Sequence, residues 1–277
     1  MSPSVFAIVL FAAALHAGWN AVVKGGSDTL LTAILIAGFA GLIALLALGF
    51  LPPMASASWP YIFSSAVLQI IYYGLVAGAY RLSDMSRTYP LMRGTPPLIV
   101  AIVSTLALGV SLSLAAWVGV VLISLGLLSL LLTTGGATDP HGVRLALINA
   151  GVIAAYTLVD GAGVRLSGAP ATYVMWVFVA NGVPLVLWAL WQRPQVVDYF
   201  ARNWLLGLVG GIGTLASYGL ALWAMTEAPV PVVAALRETS ILFGTAIAAF
   251  VLKEKVTRAR VAAVVVIALG AAALRLA

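Results

Sequence analysis

The chain has 277 residues, 63% of them hydrophobic and only 8% charged, with a mean hydropathy of +1.12. A soluble domain has about 25% charged residues, so this composition excludes a soluble globular protein and implies a polytopic membrane protein. The net charge of +6 comes from basic residues spread over many short loops, which suits membrane topology signals and not a nucleic-acid surface. With no cysteine, disulfides, thiolate metal sites and a cysteine nucleophile are all excluded.

A bilayer core about 30 Å thick needs about 20 apolar residues per helix. Pro, Gly, Asp, Arg and Lys between the apolar runs delimit predicted spans at 3–23, 29–51, 60–80, 87–108, 113–133, 142–162, 170–191, 203–225, 229–252 and 258–276. The opening "MSPSVFAIVLFAAALHAGW" lacks a positive n-region and its apolar run is long for a signal peptide, so it reads as a retained first span. That span carries His16, Trp19 and Asn20 at i, i+3 and i+4, on one face. Span 3 repeats the spacing with Gln69, Tyr72 and Tyr73, and span 4 holds Arg93 among Pro90, Pro96 and Pro97, which should kink it. Span 6 offers a stripe of Asn149, Tyr156 and Asp160, span 7 holds Trp176, and glycine-rich span 8 holds Tyr218 and Trp223. Span 9 opens on Pro229 and Pro231 and sets Arg237 and Glu238 side by side in an apolar run. Backbone groups in lipid must be satisfied internally and the runs lack strand alternation, so the predicted fold class is an all-α polytopic membrane protein.

The basic residues divide unevenly between the two sets of loops. One set holds Lys24, Arg81, Arg87, Arg144, Arg193, Arg202, Lys253, Lys255, Arg258 and Arg260, whereas the other holds only Arg165 and Arg275. The positive-inside rule puts the richer set in the cytoplasm and both termini outside an inner (cytoplasmic) membrane.

The chain also repeats itself. "LMRGTPPL" (91–98) matches "ALRETSIL" (235–242), aligning Arg93 with Arg237 at a separation of 144 residues. At the same offset "VVLISLG" (120–126) faces "VVVIALG" (264–270), and "YYGL" (72–75) matches "SYGL" (217–220) one residue further on. Five spans per repeat force the halves, 1–134 and 140–277, to cross the bilayer in opposite directions, with an interface near the midplane. This pattern resembles the ten-helix members of the drug/metabolite transporter superfamily, built of two five-helix EamA-type halves. The likeness covers nearly the whole chain, through span count, duplication and half-ends such as "VLKEKVTRARVAAVVVIALGAAAL" (251–274), in which Glu254 fills the family's glutamate position. The first half departs from it, with Val110 at that place. Many ten-helix members are thought to keep both termini in the cytoplasm; the loop charges here argue the reverse.

A charge in mid-membrane costs roughly 2.5–3.5 kcal/mol on insertion scales, so Arg93, Arg237 and Glu238 are expected to face a water-filled cavity. Arg237 and Glu238 lie about 100° apart on a helix and cannot simply neutralise each other, so each needs another partner. Two arginines can hold a carboxylate, and Glu238 can accept an ammonium group or a proton. With His16, Trp19, Asn20, Tyr73, Tyr156, Trp176, Tyr218 and Trp223 as wall residues, they form a candidate site for a small zwitterion such as an amino acid. His16 is a candidate proton carrier. The resemblance implies export of small metabolites by alternating access; a lipid or drug flippase of the same fold is the alternative. No HExxH, GxSxG or Walker motif is present, so neither an enzyme nor an ATP-driven pump is expected, and no catalytic residue, metal or cofactor is assigned. The expected partners are a small-molecule substrate and membrane lipids, without an obligate protein partner.

Overall fold

In a computed structural model, residues 1–133, 139–251, 253 and 256–277 are described, and no strand occurs among them. Glu254 and Lys255, and the side chain of Lys24, lie outside that description, as do residues 134–138. The helices are α1 (Pro3–Gly25), α2 (Thr29–Ala47), α3 (Trp59–Leu82), α4 (Met85–Gly94), α5 (Pro96–Leu106), α6 (Leu114–Ser129), α7 (Pro140–Leu166), α8 (Pro170–Gln192), α9 (Val196–Glu227), α10 (Val230–Arg237), α11 (Ser240–Ala246) and α12 (Arg258–Arg275). Polar residues between apolar runs set the starts. Ser2, Asp28, Ser113, Asp139 and Thr257 each accept a backbone N–H as N-caps, and Pro occupies the first turn of α1, α3, α5, α7, α8 and α10.

Eight segments are long and apolar enough to cross a membrane, from Pro3–Val23 to Val230–Val251. The segment 85–106 is divided between α4 and α5, and α12 carries Arg258, Arg260 and Arg275, so these two fall outside that set. One boundary differs clearly from the sequence reading: α9 begins at Val196, seven residues early. Asp198, Arg202 and Asn203 resemble a loop in sequence, but the helix runs through them with a kink at Asn203, and Val196 packs against Leu31 and Ile34.

Two spans are broken at equivalent places. Pro96 and Pro97 have no N–H, so the carbonyls of Met92 and Arg93 lose their usual helical partners and the chain turns from α4 into α5. In the second half, Glu238 N–H and Thr239 N–H donate to Ala235 and Leu236, three residues back, which tightens the chain between α10 and α11. Arg93 and Arg237 thus both lie in the last turn of a short helix, where the negative end of the helix dipole favours a cation.

Close backbone contact holds the helix pairs. A Cβ on Gly182 would lie 2.4 Å from the Ala37 carbonyl oxygen, so α8 meets α2 with no room for a side chain. A Cβ on Gly119 or Gly270 would meet the other's carbonyl oxygen at 2.8 or 2.9 Å, which brings α6 against α12. Further extensive contacts join α3 to α7, α1 to α9 and α2 to α9. Arg275 Nη1 donates to the Met1 carbonyl at 3.4 Å, so both chain ends meet at one face. A buried apolar cluster including Val9, Ile62, Val120, Val174, Leu222, Met225 and Val233 fills the interior toward that face.

Candidate functional site

On the other side of the broken helices, toward the loops that follow α1, α3 and α8, lies a cavity of about 210 Å³. α1 supplies His16, Trp19 and Asn20, whose shared face follows from their spacing. The amide of Asn20 donates to the His16 carbonyl at 2.7 Å, and the His16 and Trp19 rings meet edge to face at 5.2 Å. α3 adds Gln69, Tyr72 and Tyr73; α4 adds Tyr89 and Arg93; Tyr156 comes from α7. Opposite them stand Phe178 and Asn181 of α8, Thr214, Ser217 and Tyr218 of α9, and Arg237 at the end of α10. Tyr72 meets Tyr156 edge-on at 6.1 Å and Phe178 meets Tyr218 at 6.2 Å, so aromatic rings form a large part of the wall.

The charges are arranged across the two halves of the chain. Arg93 Nε lies 2.9 Å from Glu238 Oε2, with side-chain exposures of 15% and 9%. This ion pair gives Glu238 the separate partner that its place beside Arg237 demanded, and takes Arg93 out of a two-arginine clamp. Arg237 has no carboxylate within 4.0 Å among the described residues; its guanidinium stacks on the Tyr218 ring, 4.9 Å from the centroid. The Tyr218 hydroxyl donates in turn to Asp160 Oδ2 at 2.5 Å, and Tyr173 donates to Oδ1 at 3.0 Å. Asp160 is fully buried. Two arginines and two carboxylates thus surround the cavity floor. A smaller recess of about 20 Å³ between Pro96, Pro97, Tyr156, Arg237 and Glu238 continues beneath it.

Two wall groups lack hydrogen-bond partners: the indole N–H of Trp19, a donor, and the side-chain oxygen of Asn181, an acceptor, both buried. With Arg237 they are polar groups of the wall that have spare hydrogen-bonding capacity.

Of the candidate residues, His16, Trp19, Asn20, Tyr73, Arg93, Tyr156, Tyr218 and Arg237 line the cavity, and Glu238 lies just below it. Trp176 and Trp223 stand elsewhere: Trp176 packs on Trp59 with ring centroids 4.9 Å apart, and Trp223 packs against the apolar cluster. Sequence spacing fixed which residues share a face but not which face turns inward. Tyr89, Asn181 and Thr214 sit in no motif, and the only signal for them is polarity within an apolar helix; Ser217 opens the repeated word "SYGL". No metal-binding cluster occurs among the described residues.

Residues 141–276 match the EamA-like transporter family. No curated protein matches the chain. A solved crystal structure, described only as that of a protein, shares 19% identity and superposes with a TM-score of 0.80 over 100% of this chain and 99% of its own. At that identity the likeness speaks for the fold.

Proposed function

The chain belongs to the EamA-like transporter family through residues 141–276, and on that premise we propose that this multi-pass membrane protein is a secondary transporter whose solute binds in the 210 Å³ cavity. The observation that carries the reading is Arg237: a cation without a carboxylate partner among the described residues, held on an aromatic ring at the wall of a cavity in the middle of an apolar bundle. It suits a carboxylate. The Trp19 N–H can donate to the same group and the Asn181 oxygen can accept from an ammonium, so a small amino acid meets a complementary partner at each end. Pockets that take drug-sized ligands measure roughly 300–1,000 Å³, so the smaller volume here favours a metabolite over a drug or lipid.

Alternating access is the proposed cycle, with the halves 1–134 and 140–277 as inverted repeats. Three features support it. The breaks at Arg93 and Arg237 match; the α3–α7 contact has its counterpart in α1–α9; and the Tyr72–Tyr156 ring contact falls on the positions equivalent to the bond from Ser217 Oγ to the Ala12 carbonyl. The cavity opens on one side of the breaks and the apolar cluster closes the other, as one end state of such a cycle requires. Export across the cytoplasmic membrane is the proposed direction.

The test is counterflow in proteoliposomes with radiolabelled amino acids, phenylalanine among them, and with benzenesulfonate as an impermeant anion. Saturable phenylalanine exchange that falls about tenfold or more in a folded Arg237→Ala variant is expected. Exchange of neither probe, alongside scrambling of fluorescent phospholipid, would favour the flippase.

A further inference from the structure

Asp160 stands behind the cavity wall and is given no part in solute binding above, yet its surroundings are built. It is fully buried in α7 and accepts hydroxyl bonds from Tyr173 on α8 and Tyr218 on α9. Ser65 of α3, itself accepting from Gln69 Nε2 at 2.9 Å, lies beside the carboxylate. Tyr218 then carries the Arg237 guanidinium on its ring face. Among the described residues, these hydroxyls and the Arg237 cation are the groups that face Asp160 from the neighbouring helices.

The internal repeat adds an independent observation. At the 144-residue offset that aligns Arg93 with Arg237, Asp160 aligns with His16, and one residue further on Tyr218 aligns with Tyr73. The first half therefore carries His16, Tyr73 and Arg93 where the second carries Asp160, Tyr218 and Arg237. All three first-half members line the cavity, whereas Asp160 sits sealed behind Tyr218. A titratable group thus occupies the same place in both repeats.

We infer that Asp160, acting through Tyr218, is the internal counter-charge of Arg237, and that a solute carboxylate or sulfonate binds Arg237 together with one proton taken up by Asp160. The physical link is the phenol. Donating its hydrogen bond to an ionised carboxylate makes the Tyr218 ring richer in electrons and strengthens its hold on the guanidinium. An incoming anion draws Arg237 off the ring and leaves Asp160 buried without its cation. A hydronium ion from the cavity then gives its proton to the carboxylate, which becomes the neutral acid, and leaves as water; the incoming anion and the added proton cancel, so the charge within the site is unchanged. By linkage the coupling is reciprocal: acid favours anion binding, and anion binding favours proton uptake.

The inference rests on the transporter reading, but its first test needs no solute. Phenylglyoxal modifies arginine, and Asp160→Asn keeps the shape while removing the charge. In the full chain in detergent, Arg237 should be modified several-fold faster in D160N than in wild type, relative to the exposed Arg202. Tyr218→Phe, which keeps the ring and removes the hydroxyl, should do the same. Equal rates in the folded variants would overturn the inference and leave the transporter reading intact. The second test titrates phenylalanine or benzenesulfonate against pH. Wild-type affinity should tighten by up to about tenfold per unit of acidification, as one linked proton requires, and D160N should lose that slope while His16→Asn keeps it. A slope that vanishes with His16 and persists in D160N would assign the proton to α1 and overturn the inference. Binding of neither probe would count against the transporter reading alone, with the phenylglyoxal rates deciding the role of Asp160.

Discussion

At the residue scale, the buried Arg93–Glu238 pair joins the two halves at their breaks. Removing one partner leaves the other charge buried and uncompensated, so Arg93→Met alone should destabilise the protein by about 3–5 kcal/mol. Arg93→Met combined with Glu238→Gln should recover much of that loss, because no charge is then stranded. Thermal unfolding of the four proteins in detergent gives the coupling energy directly. Strict additivity would mean that the pair contributes nothing as a pair. Arg165 serves a different purpose: its Nε and Nη2 donate to the carbonyls of Met225 and Ala228, at 2.6 and 2.8 Å, and so satisfy the end of α9. Arg165→Ala should lower the melting temperature without altering solute affinity, a split that a cavity residue would not produce.

At the scale of elements, the cavity depends on how closely α2 and α8 approach. Gly182 lies on the cavity wall and packs against the backbone of α2, with Gly41 opposite, 3.2 Å from the Phe178 carbonyl oxygen by the same Cβ criterion. Backbone cannot yield as a flexible side chain can, so Gly182→Ala must push the helices apart. A loss of about 1–3 kcal/mol is expected, with weaker solute binding, read by unfolding and by titration. Gly74→Ala is the control, since a Cβ there meets nothing within 4 Å. Much at this scale was legible in the sequence. Apolar runs interrupted by Pro, Gly and charge define most helix ends to within about two to four residues, since little else can stop a helix in lipid. The amphipathic start of α9 was not legible, because its polar residues look like a loop until Val196 is seen against Leu31 and Ile34. The site was partly legible for a related reason. Periodicity grouped His16, Trp19 and Asn20, but the pairing of Asp160 with Tyr218, 58 residues away, depends on how α7 meets α9.

At the scale of the whole molecule, the loops fall into two groups that hydrogen bonds hold together. Ala55 N–H donates to the Ser167 carbonyl at 2.9 Å and Thr172 Oγ1 to the Pro52 carbonyl at 2.6 Å, which joins the segments after α2 and α7. The Thr32 and Tyr199 hydroxyls share a hydrogen bond of 2.6 Å, and Ser83 Oγ donates to the Asp139 carbonyl at 3.3 Å, which joins the segments around the α1–α2, α8–α9, α3–α4 and α6–α7 connections. With the chain ends brought together by Arg275 and Met1, these contacts fit a bundle whose consecutive spans alternate in direction. Orientation in the membrane then depends on charge. The second group of connections carries Lys24, Arg81, Arg87, Arg144, Arg193 and Arg202 against Arg165 alone in the first, so it should lie in the cytoplasm, with the termini and the 51–58 segment outside. The chain has no cysteine, so single substitutions can be labelled without background. Ser56→Cys, exposed in the short turn before α3, should react with an impermeant maleimide in intact cells, and Arg193→Cys, exposed after α8, only after permeabilisation. The reverse pattern would turn the molecule over, so that the cavity between α1, α3, α8 and α9 faced outward and the proposed export became a solute-capture step.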